Sequence, residues 1–135
     1  MKVIINDCFG GFGLSFKAIK RYAELKGFDI YAYDRDYDLK TWRLLNSEEE
    51  INECLNVHYM TKKIDINKEN DNHYFSDHDI ERSDPILVKV IEELGKKASD
   101  KFANLKVIEI PNDVKWEIDE YDGNEHIAEK HRTWS

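Results

Sequence analysis

The chain has 135 residues, 41% hydrophobic and 36% charged, with a formal net charge of -8. Those totals predict one domain with a real core and argue against a chain disordered throughout. The acidic balance argues against a general nucleic-acid binder, whose phosphate contacts need a surplus of Lys and Arg on one face.

No apolar run approaches the roughly 18 residues of a membrane span, and no secretory signal is visible at the start. Cys8 and Cys54 are far apart and form no CxxC pair. Their spacing argues against a disulfide framework or a thiolate zinc site and predicts reduced thiols in a cytosol.

In chain order, "KVIIN" (residues 2–6) is β-branched and bounded by a polar turn, which predicts a short buried strand. Ser15 is a helix cap, Phe16, Ile19, Tyr22, Ala23 and Leu25 fall at helical spacing, and Gly27 stands where a C-terminal cap belongs. "FDIYAY" (residues 28–33) alternates like a half-buried strand, so the first third suits a βαβ unit without requiring parallel pairing. From 34 to 80 the chain reads as a polar insert: "DRDYDLKTW" as a loop, Ser47 and three glutamates as a short helix start, and an Asn- and Asp-rich stretch as surface loop or loose hairpin.

Asp84, Pro85 and Gly95 frame a second principal helix with Leu87, Val90, Ile91 and Leu94 as its apolar stripe. "LKVIEI" then predicts a strand, and the segment from Val114 a hairpin turning at Asp122-Gly123. The expected class is α+β or α/β. It is one small domain over residues 1–135, with a mixed sheet, two principal helices, a C-terminal β-hairpin and the polar insert.

The stretch "NDCFGGFGLS" carries the functional question. Gly11 and Gly13 fit the first two places of a G-x-G-x-x-G dinucleotide fingerprint, but Phe16 stands where the third glycine belongs. No phosphate-binding G-x-x-x-x-G-K-[ST] is present. What remains is a helix N-terminus with flexible glycines and Ser15, suited to an anionic group. The alternative is a tight turn with Phe9 and Phe12 plugging the core.

His131, Arg132 and Trp134 combine imidazole, cation and ring near the C-terminus. Arg82 is either an anion ligand or a partner for nearby carboxylates. Phe102 and Asn104 share one side of a strand, as a ring and an amide for a base edge or as a core Phe with a capping Asn. Glu117, Asp119, Glu120, Asp122 and Glu125 crowd the hairpin and read as a solvated face, or as acid/base chemistry in a nucleotide-cleaving enzyme. No cofactor and no metal site is expected.

"VIINDCFGGFGLS", "ERSDPILVKVIEELG" and "LKVIEIPNDVKWEIDEYDGNEHIAEKHRTW" together resemble small proteins of bacteriophages and their hosts. The pattern is similar to that of the Thoeris anti-defence family, which acts as a sponge for immune signals; the resemblance covers about 60 of the 135 residues, all outside 34–80. It implies a non-catalytic protein of the infected bacterial cytoplasm that binds a cyclic ADP-ribose isomer and keeps it from its effector. It also implies possible capture of cyclic oligonucleotides and a homo-oligomer, at least a dimer.

On that resemblance Gly10, Gly11, Gly13 and Ser15 supply close backbone, and Phe12 or Phe102 an aromatic face. Arg82 and Arg132 supply charge beside His131, and Asn104 or Asn112 reads an edge. The rival readings are the nucleotide-cleaving enzyme and a protein-interaction module using Trp116, Trp134 and the tyrosines.

Overall fold

A computed structural model describes residues 1–54, 56–67 and 73–129. The regular elements in chain order are β1 (Lys2–Asn6), α1 (Phe16–Lys26), β2 (Tyr31–Asp36), β3 (Thr41–Leu45), α2 (Glu48–Glu53), β4 (Val57–Met60), β5 (Tyr74–Phe75), α3 (Pro85–Leu94), β6 (Leu105–Glu109), β7 (Trp116–Tyr121) and β8 (Asn124–Glu129). The chain divides into two compact units, one from Met1–Ala18 with Ile80–Ser135 and the other from Ile19–Asp79. The class is α+β, and the C-terminal hairpin is present as expected.

In the first unit β1 pairs antiparallel with β6, Val3 standing opposite Ile108 and Ile5 opposite Lys106. Val3, Ile4 and Ile5 are all buried, which is why the strand reads as a continuous apolar run rather than an alternation. Helix α3 packs on both strands through Leu87, Val90 and Ile91. Burial of each such side chain contributes roughly 1.5–3 kcal/mol.

The ends of α3 are those the sequence specifies. Asp84 accepts a hydrogen bond from the Ile86 amide at 2.8 Å, Pro85 opens the helix, and Gly95 closes it at φ 58°. Strands β7 and β8 form a two-stranded ribbon, and both turn residues, Asp122 (φ 51°) and Gly123 (φ 87°), are left-handed. That is the type I′ geometry that an Asp-Gly pair favours.

In the second unit the stretch after Tyr33 that was expected as a loop supplies strand residues to β2 and β3 instead. Residues 34–80 contribute most of a four-stranded antiparallel sheet in the order β3-β2-β4-β5. Strand β2 begins three residues later than expected and runs through Asp34, Arg35 and Asp36, the residues whose polarity suggested a loop. Cross-strand pairing holds them in the ladder. Asp34 stands opposite Arg43, with carboxylate and guanidinium 3.4 Å apart, and Arg35 stands opposite Trp42 with its guanidinium 4.8 Å from the indole centre.

Tyr33, Trp42 and Met60 share one face and form a buried cluster against which Tyr31, Leu44 and Ile64 pack. The Ile64 amide donates to the Tyr33 hydroxyl and the Trp42 amide to the Ile66 carbonyl. A second ring cluster joins Tyr22, Phe28 and Phe75, with centroids 5.7–6.3 Å apart. Phe28 is therefore a packing residue after the helix rather than the start of the strand. Helix α2 starts at Ser47, whose hydroxyl accepts from the Glu50 amide at 3.2 Å, as its sequence predicts.

All ladders among the described residues are antiparallel, and β1 and β2 lie in different sheets, so the first third of the chain is not a parallel βαβ unit. Two predictions follow from the second unit's core. Met60 is fully buried, so Met60→Ala should lower stability by about 2–5 kcal/mol in urea denaturation; a near-neutral result is what a solvated insert would give.

His58 lies edge-on to Trp42 at 5.3 Å and near Tyr74 at 6.2 Å. Burial, with Arg35 adding and Asp34 opposing, holds its imidazole below the ordinary histidine value. The unfolded chain takes up this proton as pH falls through about 6.5, and the folded chain does so only at lower pH. Stability is thus complete above that pH and declines below it. His58→Gln should flatten this part of the acid slope in a series of thermal melts.

Candidate glycine-loop and aromatic site

Strand β1 ends at Asn6, a fully buried polar residue. Its side-chain amide donates to the Cys8 carbonyl and to the Gly123 carbonyl, each at 2.8 Å, and its Oδ1 accepts from the Asn104 amide at 2.8 Å. One side chain thereby ties together the glycine loop, the segment before β6 and the tip of the β7–β8 hairpin. Both amide donors and the oxygen are used, which is what makes burial of an asparagine tolerable. The Asp7 amide donates to the Asn104 carbonyl at 2.8 Å, and the Cys8 thiol to the Phe102 carbonyl at 3.0 Å, closing the first two loops on each other.

The Asn6 amide N–H donates to Glu125 Oε1 at 2.8 Å, and Glu125 is itself buried on β8. Its carboxylate receives the Arg82 fork at 2.6 and 2.9 Å. Arg82 also donates to the Ile4 carbonyl at 3.2 Å, and its guanidinium lies 3.7 Å from the centre of the Phe12 ring. The charge expected to serve a phosphate is therefore neutralised inside the unit, in line with the carboxylate-partner alternative. Phe12 is buried under that guanidinium, so of the two loop rings it is the core anchor and not the aromatic face.

Close approach within the unit explains most of the glycines. A side chain at Gly10 would strike the backbone of Phe102, one at Gly13 the Asp100 carboxylate, and one at Gly123 the backbone of Phe9 and Gly11. Among the glycine loop's own Gly10, Gly11 and Gly13, it is Gly11, left-handed at φ 89°, that has open space where a side chain would be. Ser15 is the cap of α1, accepting from the Ala18 amide at 3.2 Å and donating to the Lys97 carbonyl at 2.6 Å.

What the three tied loops turn outward is aromatic. Phe9 is 64% exposed, Phe102 69% and Tyr121 77%. Phe102 was expected to be the face or a core residue, and it is out in solvent. Phe9 and Tyr121 were not among the expected contacts. Alternation along β7 puts Tyr121 on the outward side with Glu117 and Asp119, and that was the available signal for it.

Asn104 is exposed on the same segment as Phe102 and joins this group. Asn112 does not. Its Oδ1 accepts from the Met1 ammonium at 2.6 Å, at the opposite end of β1 from Asn6 and roughly 13 Å or more away by strand rise. His131 and Arg132 lie outside the described residues; Glu129, the last described position, is a ribbon's length, roughly 17 Å, from Asn124 at the tip.

The enzyme reading's carboxylates, Glu117 and Asp119, are exposed on β7, where Asp119 meets His126 at 3.5 Å. Among the described residues no cluster of three or more His, Cys, Asp or Glu is arranged to hold a metal ion. An open groove of about 670 Å³ lies elsewhere in this unit, along Met1, Lys2, Pro85, Val88 and Lys89, and contains none of the expected ligand residues. Comparison with protein families, with curated proteins and with solved structures finds no match to this chain.

Asn6→Asp tests the clamp directly, because it sets an oxygen against the Cys8 and Gly123 carbonyls. The expected loss is of the order of 3 kcal/mol in urea denaturation, from acceptors left without donors and an added buried charge beside Glu125. A change under about 1 kcal/mol would show that the three loops are not held by this side chain.

Proposed function

We propose that this chain captures a phosphorylated cyclic nucleotide of the cyclic ADP-ribose type and holds it without chemical change. The observation that carries the reading is the set of three exposed rings, Phe9, Phe102 and Tyr121, on loops fixed by one buried amide. Rings left exposed on loops whose backbone is tied down offer a stacking surface, and stacking one base on such a ring contributes about 1–3 kcal/mol. The open backbone at Gly11 admits close approach, and in this reading the exposed Asn104 side chain reads a base edge. Lys101 supplies a cation beside Phe102. The resemblance adds Arg132 as a further cation beside the His131 imidazole, and a homo-oligomer as the assembled state.

Nanomolar capture corresponds to about -12 kcal/mol. Stacking at this surface covers only part of that, so in this reading the cations near the C-terminus and a second subunit supply the remaining enclosure.

A second reading, a protein-contact module, draws on the other unit, where Tyr37, Leu39, Ile66 and Tyr74 are exposed. A stoichiometric protein partner in a pull-down, without a thermal shift from any nucleotide, would favour it.

The deciding experiment loads the purified protein with a cyclic ADP-ribose isomer, removes free ligand, denatures the protein by heat and weighs what is released. Intact ligand supports capture, products support an enzyme, and absence of any retained mass at micromolar levels ends the proposal. Phe9→Ala and Phe102→Ala should each weaken binding about 10-fold or more by calorimetry, given the stacking contribution. Their melting temperatures should stay nearly unchanged, because neither ring is buried.

A further inference from the structure

The charges around the three rings are not those of a phosphate cradle. Asp7 precedes Phe9 by two residues, Asp100 accepts from the Phe102 amide at 2.9 Å, and Asp122 forms the hairpin tip beside Tyr121; all three are exposed. Within the same three loops Lys101 is the one cation in the sequence, and Arg82, which reaches Phe12 from outside them, is taken up by Glu125. Aromatic faces carry a negative quadrupole and attract cations, and an acidic rim adds to that attraction.

The rings are also spread on open loops, each more than 60% exposed, rather than wrapped into an enclosure. A compact ammonium gains most from an enclosing cage that displaces its water, whereas a flat, delocalised cation can lie on an open surface.

We infer that the Phe9, Phe102 and Tyr121 surface selects a small heteroaromatic ring made cationic by N-alkylation, in preference to the neutral ring of the same shape. The inference rests on the reading of this surface as the ligand site, and it names the part of the ligand that lands there. The charged base faces the rings and carboxylates, and the phosphates point away from the rim.

The test compares nicotinamide with the N-methylnicotinamide cation, a pair of the same ring differing in charge, by titration of the protein's aromatic proton resonances. The cation should bind at least about fivefold more tightly, the scale expected of exposed cation–π contact helped by nearby carboxylates. The preference should shrink to under about twofold in 0.5 M salt. It should shrink equally in the Asp7→Asn/Asp100→Asn double variant, checked for an unchanged melting temperature.

Equal affinity, or preference for neutral nicotinamide, overturns the inference, and so does absence of any shift with either compound. Tighter binding of a trimethyl-lysine peptide than of N-methylnicotinamide overturns the choice of a flat cation. Retention of the cyclic nucleotide is measured separately on the same protein. Retention with no charge preference leaves capture standing and removes only this inference; no retention and no shift removes both.

Discussion

The first unit depends on how one buried amide is satisfied. Asn6 has no exposure, and its amide group makes hydrogen bonds into three separate loops. A buried amide without partners would cost several kcal/mol, so the loops and the asparagine require one another. The glycine loop cannot shift without freeing the Cys8 carbonyl, the hairpin tip cannot lift without freeing the Gly123 carbonyl, and the segment before β6 is pinned through the Asn104 amide. The same interaction sets which groups reach solvent: with the backbone turned inward to Asn6, Phe9 and Phe102 are left outside.

The Arg82–Glu125 pair works beside it and in the same direction. Glu125 accepts from the backbone of β1 as well as from the guanidinium, which joins the ribbon to the edge of β1 that β6 does not cover. A buried pair of this kind need not add much net stability over an apolar substitute, because both groups lose their water. Its effect is on register. Only one alignment of β8 brings the carboxylate to both the Asn6 amide and the Arg82 fork, and that alignment delivers Gly123 to the glycine loop. A two-stranded ribbon is marginal by itself in water, and here its attachment is polar and geometric.

What was legible in the sequence was local. Asp84, Pro85 and Gly95 bound α3 through contacts with neighbouring residues, and Asp122-Gly123 needs only its own backbone preference to make a turn. What was illegible was made across distance. Asn6 meets Asn104 and Glu125 at separations of 98 and 119 residues, and nothing near "IINDC" announces either partner. Strand β2 was obscured because Asp34 and Arg35 are polar by composition and become strand residues only when Arg43 and Trp42 stand opposite. Phe9 and Phe12 could not be ranked because a loop has no periodicity to say which ring points in. The candidate site was thus half visible: Gly10, Gly11, Phe102 and Asn104 do come together, while Tyr121 arrives through the hairpin and Asn112 stands apart.

The glycines illustrate how such a loop misleads. A run of glycines before a helix suggests that the backbone must approach a ligand, yet the same residues are needed whenever a chain approaches itself. Gly10 makes room for Phe102, Gly13 for Asp100, and Gly123 for the loop carrying Phe9 and Gly11. Three close approaches in one small region fix the loop's backbone against its neighbours, and the Asp7 and Ser15 amides that flank it are spent on the Asn104 and Ala98 carbonyls. A backbone tied in this way is useful to a binding surface, because a loop that does not have to be ordered on binding loses little entropy when a ligand stacks on the rings it carries. The glycine loop then serves recognition through the phenylalanines it holds outward, and only at Gly11 through exposed backbone.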